Sequence, residues 1–425
     1  MSRPAAGAQA DGFGPALSMT GAPQEEQVMD TMPNTSQGSL YAVLKVAEIC
    51  NIGCTYCYFF FAGDDTHQDR PQLLSARTAE AVAEFLHAGA LDVGAREVTV
   101  SLHGGEPMMM GKRRFQALCK TLRDRFDGPV KLRLDTQTNA ILVDDEWIAI
   151  FSEFDVGVGV SLDGPASIND HYRVDKRGRG THDETVRGLR RLQEAAVAGL
   201  IREPAIICVL TELSDAATLF DYFYDVLGVS LVFFRPPLMD WDDYSPQTLE
   251  AVRVFYRELL AIWLRRDDPR LQIHWFRELF AGLLATGQHA LGPDEPAPFT
   301  IRTDGALGPH DAFAPKHEKF RHTGYAVDNS HLRDFLAADF WRDVNREPSP
   351  LPAECSDCKW AGICGGGLVE NRYQAGDAVR RKTVYCEVSK DICGGLYEYA
   401  ATAVPREVLD ERLVARLRIA AQAPA

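Results

Sequence analysis

Between Leu40 and Phe234 the chain repeats one pattern: a short apolar run, a polar turn, then apolar residues at helical spacing. The runs are Tyr41–Ala47, Val98–Leu102, Lys131–Thr136, Val156–Leu162, Ala205–Leu210 and Leu231–Phe234. Their length and their Val, Ile and Leu content read as buried strands. Ala76–Ala90, Arg113–Phe126, Asp145–Glu153, Thr185–Ala198 and Ala216–Leu227 read as the intervening helices. Strands alternating with helices dictate right-handed βαβ units and a parallel sheet. Six such units predict an α/β fold, a partial (β/α)6 barrel of TIM type. In such barrels chemistry gathers where the strands end. The polar motifs of this chain fall at those ends, which supports the reading independently.

The rest of the chain divides by composition. Residues 1–38, rich in Ala, Gly, Pro, Ser, Gln and Met without a period, read as a disordered leader. The barrel is expected over 39–240. A helical bridge over 241–295 carries apolar residues at helical spacing in Pro246–Arg266 and Trp275–Ala285. Residues 296–402, rich in turns, Gly and clustered Cys, read as a small metal-stapled domain, and 403–425 as a C-terminal helix or tail.

Bulk chemistry narrows the function. A net charge of −15 argues against a nucleic-acid footprint, which needs a basic surface. No run of 18 apolar residues exists, so no transmembrane helix is expected. The start lacks a basic segment followed by an apolar one, so no secretory signal is expected and a cytoplasmic location is. An acidic surface suits a basic peptide leader as a partner.

Ten cysteines are present, and six of them fall in two tight groups. In a large chain without an export signal such groups read as metal ligands, not disulfides. The first is Cys50-Asn-Ile-Gly-Cys54-Thr-Tyr-Cys57, directly after a strand. A structural zinc site would want a fourth ligand, and none lies nearby. Three thiolates on a [4Fe–4S] cluster instead leave one iron open. The second is Cys355-Ser-Asp-Cys358 with Cys364 following, then Cys386, a closed set of four that suits zinc or iron–sulfur by spacing alone. Cys119, Cys208 and Cys393 sit in apolar surroundings and read as core residues.

The first group, with Tyr56 before its third cysteine, resembles the radical S-adenosylmethionine (SAM) superfamily. His103-Gly104-Gly105-Glu106-Pro107 resembles that family's GGEP turn, and Gln137-Thr138-Asn139 its QTN. Ser161-Leu-Asp-Gly-Pro165 with His171 and Arg173 resembles the next segment. The resemblance implies a [4Fe–4S] cluster on Cys50, Cys54 and Cys57, with SAM on its open iron. It also implies SAM contacts from Tyr56, Gly104, Gly105, Glu106, Asn139, Ser161 (to the ribose) and Arg173 (to the carboxylate). The alternative for Arg173 is a surface-loop arginine. The aromatic run Tyr58–Phe61 reads as packing beside the loop.

The second group, ending in Cys364-Gly-Gly-Gly, resembles the SPASM domain of radical SAM enzymes that modify peptides and proteins. The resemblance implies one auxiliary [4Fe–4S] cluster on Cys355, Cys358, Cys364 and Cys386. Leu368 and His310 stand where that domain carries further cysteines, and none lies between Cys208 and Cys355, so a first auxiliary cluster is expected to be missing. The stretch CGGGLVENRY, followed by TVYC, resembles the maturases of ribosomally made peptides of the XyeB, GrrM and FxsB types, which form three-residue cyclophanes.

These resemblances imply a maturase that abstracts a Cβ hydrogen from a precursor peptide and forms a side-chain crosslink, with flavodoxin or ferredoxin as electron donor. Asp311 matches the family aspartate after the lost cysteine and is the expected base; the alternative is a loop aspartate capping a turn. His310, Asp240 and Asp242 are weaker candidates. The second functional reading is a protein maturase that oxidises a Ser or Cys side chain, as anaerobic sulfatase maturases do. A third, a non-catalytic iron–sulfur or zinc interaction protein, explains the cysteines but not the strand-end motifs.

Overall fold

The computed structural model describes residues 38–284, 298–344 and 351–422. The expected leader therefore lies outside the described residues except for Gly38.

Each expected strand forms: β1 Ser39–Ala47, β2 Glu97–Gly104, β3 Lys131–Thr138, β4 Val156–Ser161, β5 Ala205–Val209 and β6 Leu231–Arg235. They pair in parallel in sequence order. Their apolar side chains are buried, among them Leu44, Val100, Leu134, Val160, Ile206 and Val232. This is the continuous burial of a parallel sheet covered by helices.

The helices between them begin and end on the residues that stop helices. Ser75 accepts from Thr78 N to cap Ala76–Val93, and Gly94 closes it with φ +74°. Asp144 caps Asp145–Glu153 by accepting from Trp147 N, and Ser245 with Pro246 opens Pro246–Arg266. The expected helix Ala216–Leu227 is instead an α-helical turn, Ala216–Phe220, followed by a π-helical one, Asp221–Val226. The wider turn seats Phe223 and Tyr224 in the core and swings Tyr222 onto His182.

Three further strands extend the sheet. β7 (Gln272–Ile273) pairs with β6, and β8 (Phe299–Ile301) pairs in parallel with β1. β9 (Leu307–Pro309) returns antiparallel to β8. The order is β7-β6-β5-β4-β3-β2-β1-β8-β9. The hairpin β8–β9, which by composition fell in the cysteine-rich segment, is thus part of the barrel sheet.

The cysteine-rich segment also contains a regular helix that turn composition hid, Cys386–Ala400, and Arg406–Gln422 forms another. The first packs against Pro246–Arg266 through the Arg253–Asp391 ion pair at 2.5 Å. No described helix is long and apolar enough to cross a membrane.

Candidate active site

The first cysteine loop leaves the C-terminal end of β1 and is gripped from two sides. On one side Gly105 N donates to Ala47 O at 2.8 Å and Glu106 N to Ile49 O at 2.9 Å. This approach explains the two glycines. Gly104 has φ +143°, and a Cβ there would stand 2.2 Å from Ala47 O; one on Gly105 would stand 2.5 Å from Ile49 O. On the other side Gly53 N donates to Val174 O and Thr55 N to Tyr172 O, at 2.8 and 3.0 Å.

Within that grip Cys50 is buried, Cys54 and Cys57 are half-buried, and none is in a disulfide. Burial, chiefly, pushes the Cys50 thiol up to about 12 and raises that of Cys54. Loading with metal must therefore drive these protons off. Three thiols on one short loop, beside a turn without side chains, fit a cluster that keeps one position open. No group of three or more Cys, His, Asp or Glu among the described residues gathers tightly enough for a single metal ion.

The other strand-end motifs gather around the loop. Asn139 Nδ2 donates to Asn51 Oδ1 at 2.8 Å and lies 3.9 Å from Cys50 Sγ. Glu106 is 1% exposed, and its carboxylate accepts from Met108 N, Thr138 Oγ1 and Asn139 N. It ties the ends of β2 and β3 together, so the motif's backbone, more than this carboxylate, is what remains to meet a ligand. Gln137 Nε2 donates to Ser161 Oγ at 2.7 Å, joining β3 to β4.

Tyr56 and Arg173 form one array with a residue the sequence reading did not single out, Asp163. Tyr56 Oη donates to Asp163 Oδ2 at 2.5 Å and accepts from Arg173 Nη1 at 2.9 Å. Asp163 Oδ1 accepts from Val209 N. Arg173 is 7% exposed, not a surface-loop arginine, and its charge lies close enough to Cys54 to favour the thiolate there. The signal for Asp163 was in the sequence: a carboxylate just past the end of a valine-rich buried strand needs a partner.

A cleft beside the loop is lined by Lys45, Glu48, Tyr58, Phe59, Asp64, His67, Arg70, Arg302, Asp311 and Pro315. Asp311 follows the β8–β9 hairpin and is buried against Lys45 as an ion pair. The Lys45 ammonium and, beyond it, the Arg302 guanidinium hold this carboxyl down at about 2 against the pull of burial. Asp311 is therefore a carboxylate facing the cleft, not a turn cap. Lys45, Glu48 and Arg302 had no part in the sequence reading, and His103 entered it only as the first residue of the glycine-turn motif. Of the weaker base candidates, Asp240 pairs with Lys316 at 2.5 Å, Asp242 accepts from Ala375 N, and His310 caps Ala312 N. None of the three lines the cleft.

The second site lies in a separate small hollow lined by Cys355, Cys358, Cys364 and Cys386 with Trp360, Gly366, Thr383, Lys382 and Lys390. Burial and the neighbouring thiols raise Cys355 to about 11. Four thiols around an apolar hollow, none of them in a disulfide, fit a closed iron–sulfur cluster. Cys119, Cys208 and Cys393 are buried in the core, as expected.

Residues 44–213 match the family model of the radical SAM superfamily. A serine-type anaerobic sulfatase-maturating enzyme of Klebsiella aerogenes is 31% identical, over 83% of this chain and 82% of its own. A cysteine-type enzyme of Clostridium perfringens is 23% identical over 83% of this chain and 93% of its own. Among solved structures, that of native anSMEcpe with bound AdoMet and Cp18Cys peptide superposes with a TM-score of 0.71 at 21% identity. The match spans 89% of this chain and 99% of that one. That likeness supports the barrel with a cysteine-rich C-terminal domain.

Proposed function

Since this chain belongs to the radical SAM superfamily, and within it to the family of the anaerobic sulfatase-maturating enzymes, we propose that it oxidises the Cβ of a serine or cysteine side chain in a peptide or protein. The observation that carries the reading is the buried Asp311 carboxylate, lining a cleft that Tyr58 and Phe59 of the first cysteine loop also line. The relatives favour side-chain oxidation over the crosslink to which the sequence motifs alone had pointed.

In this reading Cys50, Cys54 and Cys57 hold the SAM-binding [4Fe–4S] cluster, and Cys355, Cys358, Cys364 and Cys386 an auxiliary one. When bound, the first cluster with SAM supplies a carbon radical that removes a hydrogen atom from Cβ, and the second supplies an acceptor for one electron. The protein's own residues do the rest. The backbone of Gly104 and Gly105 would meet the methionine amino group of bound SAM, with Glu106 holding that turn. Arg173, steadied by Tyr56 and Asp163, would meet its carboxylate, and Ser161 its ribose. Asn139 keeps Asn51 in register beside Cys50. Asp311 accepts the proton that leaves the substrate hydroxyl or thiol. A flavodoxin or ferredoxin in a reducing cytoplasm supplies the electrons.

The test is anaerobic incubation of the reconstituted enzyme with SAM, dithionite and short peptides carrying Ser or Cys. Formation of 5′-deoxyadenosine together with a hydrazide-reactive aldehyde is expected. A second reading, an intramolecular crosslink in a precursor peptide, is favoured by His310 and Leu368, which stand where two further cluster cysteines occur in the SPASM pattern. Loss of a hydrogen pair without an aldehyde, and fragmentation blocked within three residues, would replace the first reading with this one.

A further inference from the structure

Resting on Asp311 as the base, we propose that Lys45 is the positioning residue that keeps Asp311 charged and aimed into the cleft. Lys45 lies in β1 between Leu44 and Val46, and it is 1% exposed. An ammonium in such a place is costly unless each of its hydrogens is met. All three directions are taken. Asp311 Oδ2 forms the ion pair, His103 Nδ1 at the end of β2 lies at 3.1 Å, and the Phe59 ring faces the ammonium at 4.5 Å.

The lysine thus joins the strand that leads to the first cysteine loop, the strand that leads to the glycine turn, and the turn that carries the base. Burial and the adjacent ammonium hold His103 down at about 3, so its ring is neutral and Nδ1 accepts from Lys45. The other titratable and charged groups facing the pair, Glu48, Tyr58, Arg302 and His310, come from the loop side and the hairpin side. A staple needed only for stability could be apolar. A lysine here fixes the ionisation and direction of one carboxylate.

The experiment compares Lys45→Met, Lys45→Arg, Asp311→Asn and the Lys45→Met/Asp311→Asn double variant. Two readouts are taken: the carboxyl infrared band of the metal-free protein near neutral pH, and substrate product per 5′-deoxyadenosine. Lys45→Met is expected to show a new protonated-carboxyl band that vanishes in the double variant. Its product per 5′-deoxyadenosine should fall at least tenfold, with partial rescue in Lys45→Arg. An ionised carboxylate and an unchanged product ratio in Lys45→Met, with Asp311→Asn inactive, would overturn the role of Lys45 alone. Full product from Asp311→Asn would overturn the base assignment and the lysine's role with it. Should Lys45→Met fail to fold, the double variant, which buries two neutral groups, and Lys45→Arg still decide the matter: equal product ratios in Asp311→Asn and wild type, or none in Lys45→Arg, would overturn the proposal.

Discussion

Replacing Gly105 with alanine should empty the first cysteine site while leaving the second filled. The added Cβ would stand 2.5 Å from Ile49 O, 2.6 Å from Ile49 C and 2.8 Å from Phe60 Cζ. Two of these atoms are backbone and cannot turn away, so the loop itself must retreat. Overpacking of this kind costs about 1–3 kcal/mol. Retreat also breaks the Gly105–Ala47 and Glu106–Ile49 hydrogen bonds, each worth about 1 kcal/mol. Together about 3–5 kcal/mol opposes the native loop, a shift of roughly 10²–10⁴-fold in its population. Iron after anaerobic reconstitution should fall from roughly eight atoms per chain to roughly four, the load of the Cys355–Cys386 site alone. The comparison is Gly53→Ala, inside the cysteine motif itself, where an added Cβ meets nothing within 4 Å. It should load like the wild type. Full iron in Gly105→Ala, or loss in Gly53→Ala alone, would refute the claim that close backbone approach is why the turn is glycine.

Other outcomes follow from the same geometry. Tyr56→Phe leaves Asp163 Oδ2 without its donor; denaturant titration of the metal-free protein should show a loss of about 1–3 kcal/mol, and SAM binding should weaken. Asp311 sits at about 2 against an unfolded value of about 3.9, so its contribution, about 2.6 kcal/mol, is complete above pH about 5 and lost as pH falls through 2. In Lys45→Met the sign reverses: an unpaired buried carboxyl is raised, and stability should fall as pH rises from about 4 to 7, read by thermal melts across that range. Cys358→Ala should lose the second site's iron while dithionite-driven SAM cleavage at the first site persists, and an enzyme that stops cleaving SAM would contradict two independent sites.

The six barrel strands were legible because each carries its apolar residues in one short run or alternation between helical stretches, and most end in a polar motif. β7, β8 and β9 were not, since two or three residues carry no period to read. Cys386–Ala400 was hidden because its first turn begins at a cysteine and its middle holds Gly394-Gly395. The cysteines and the glycine turn announced themselves by spacing. Lys45 and Asp163 did not, because their partners lie far away in sequence: the pairing of β1 with β2 and β8 brings His103 and Asp311 to Lys45, and the cysteine loop brings Tyr56 to Asp163. The base illustrates both cases. Asp311 was found by motif likeness, but its charge state depends on Lys45, which only the sheet order places beside it.

That sheet order also sets a timetable. Ala42 and Phe299 are neighbours across the β1–β8 seam. At about 5–20 residues per second, roughly 10–50 s of synthesis separate them on the ribosome. Through that interval the strand leading to the first cysteine loop has β2 on one side and an open edge on the other, the kind of edge that other chains pair with. The hairpin that finally covers the edge is the same one that delivers Asp311. Covering of the β1 edge and arrival of the base are therefore a single late event in the life of each chain.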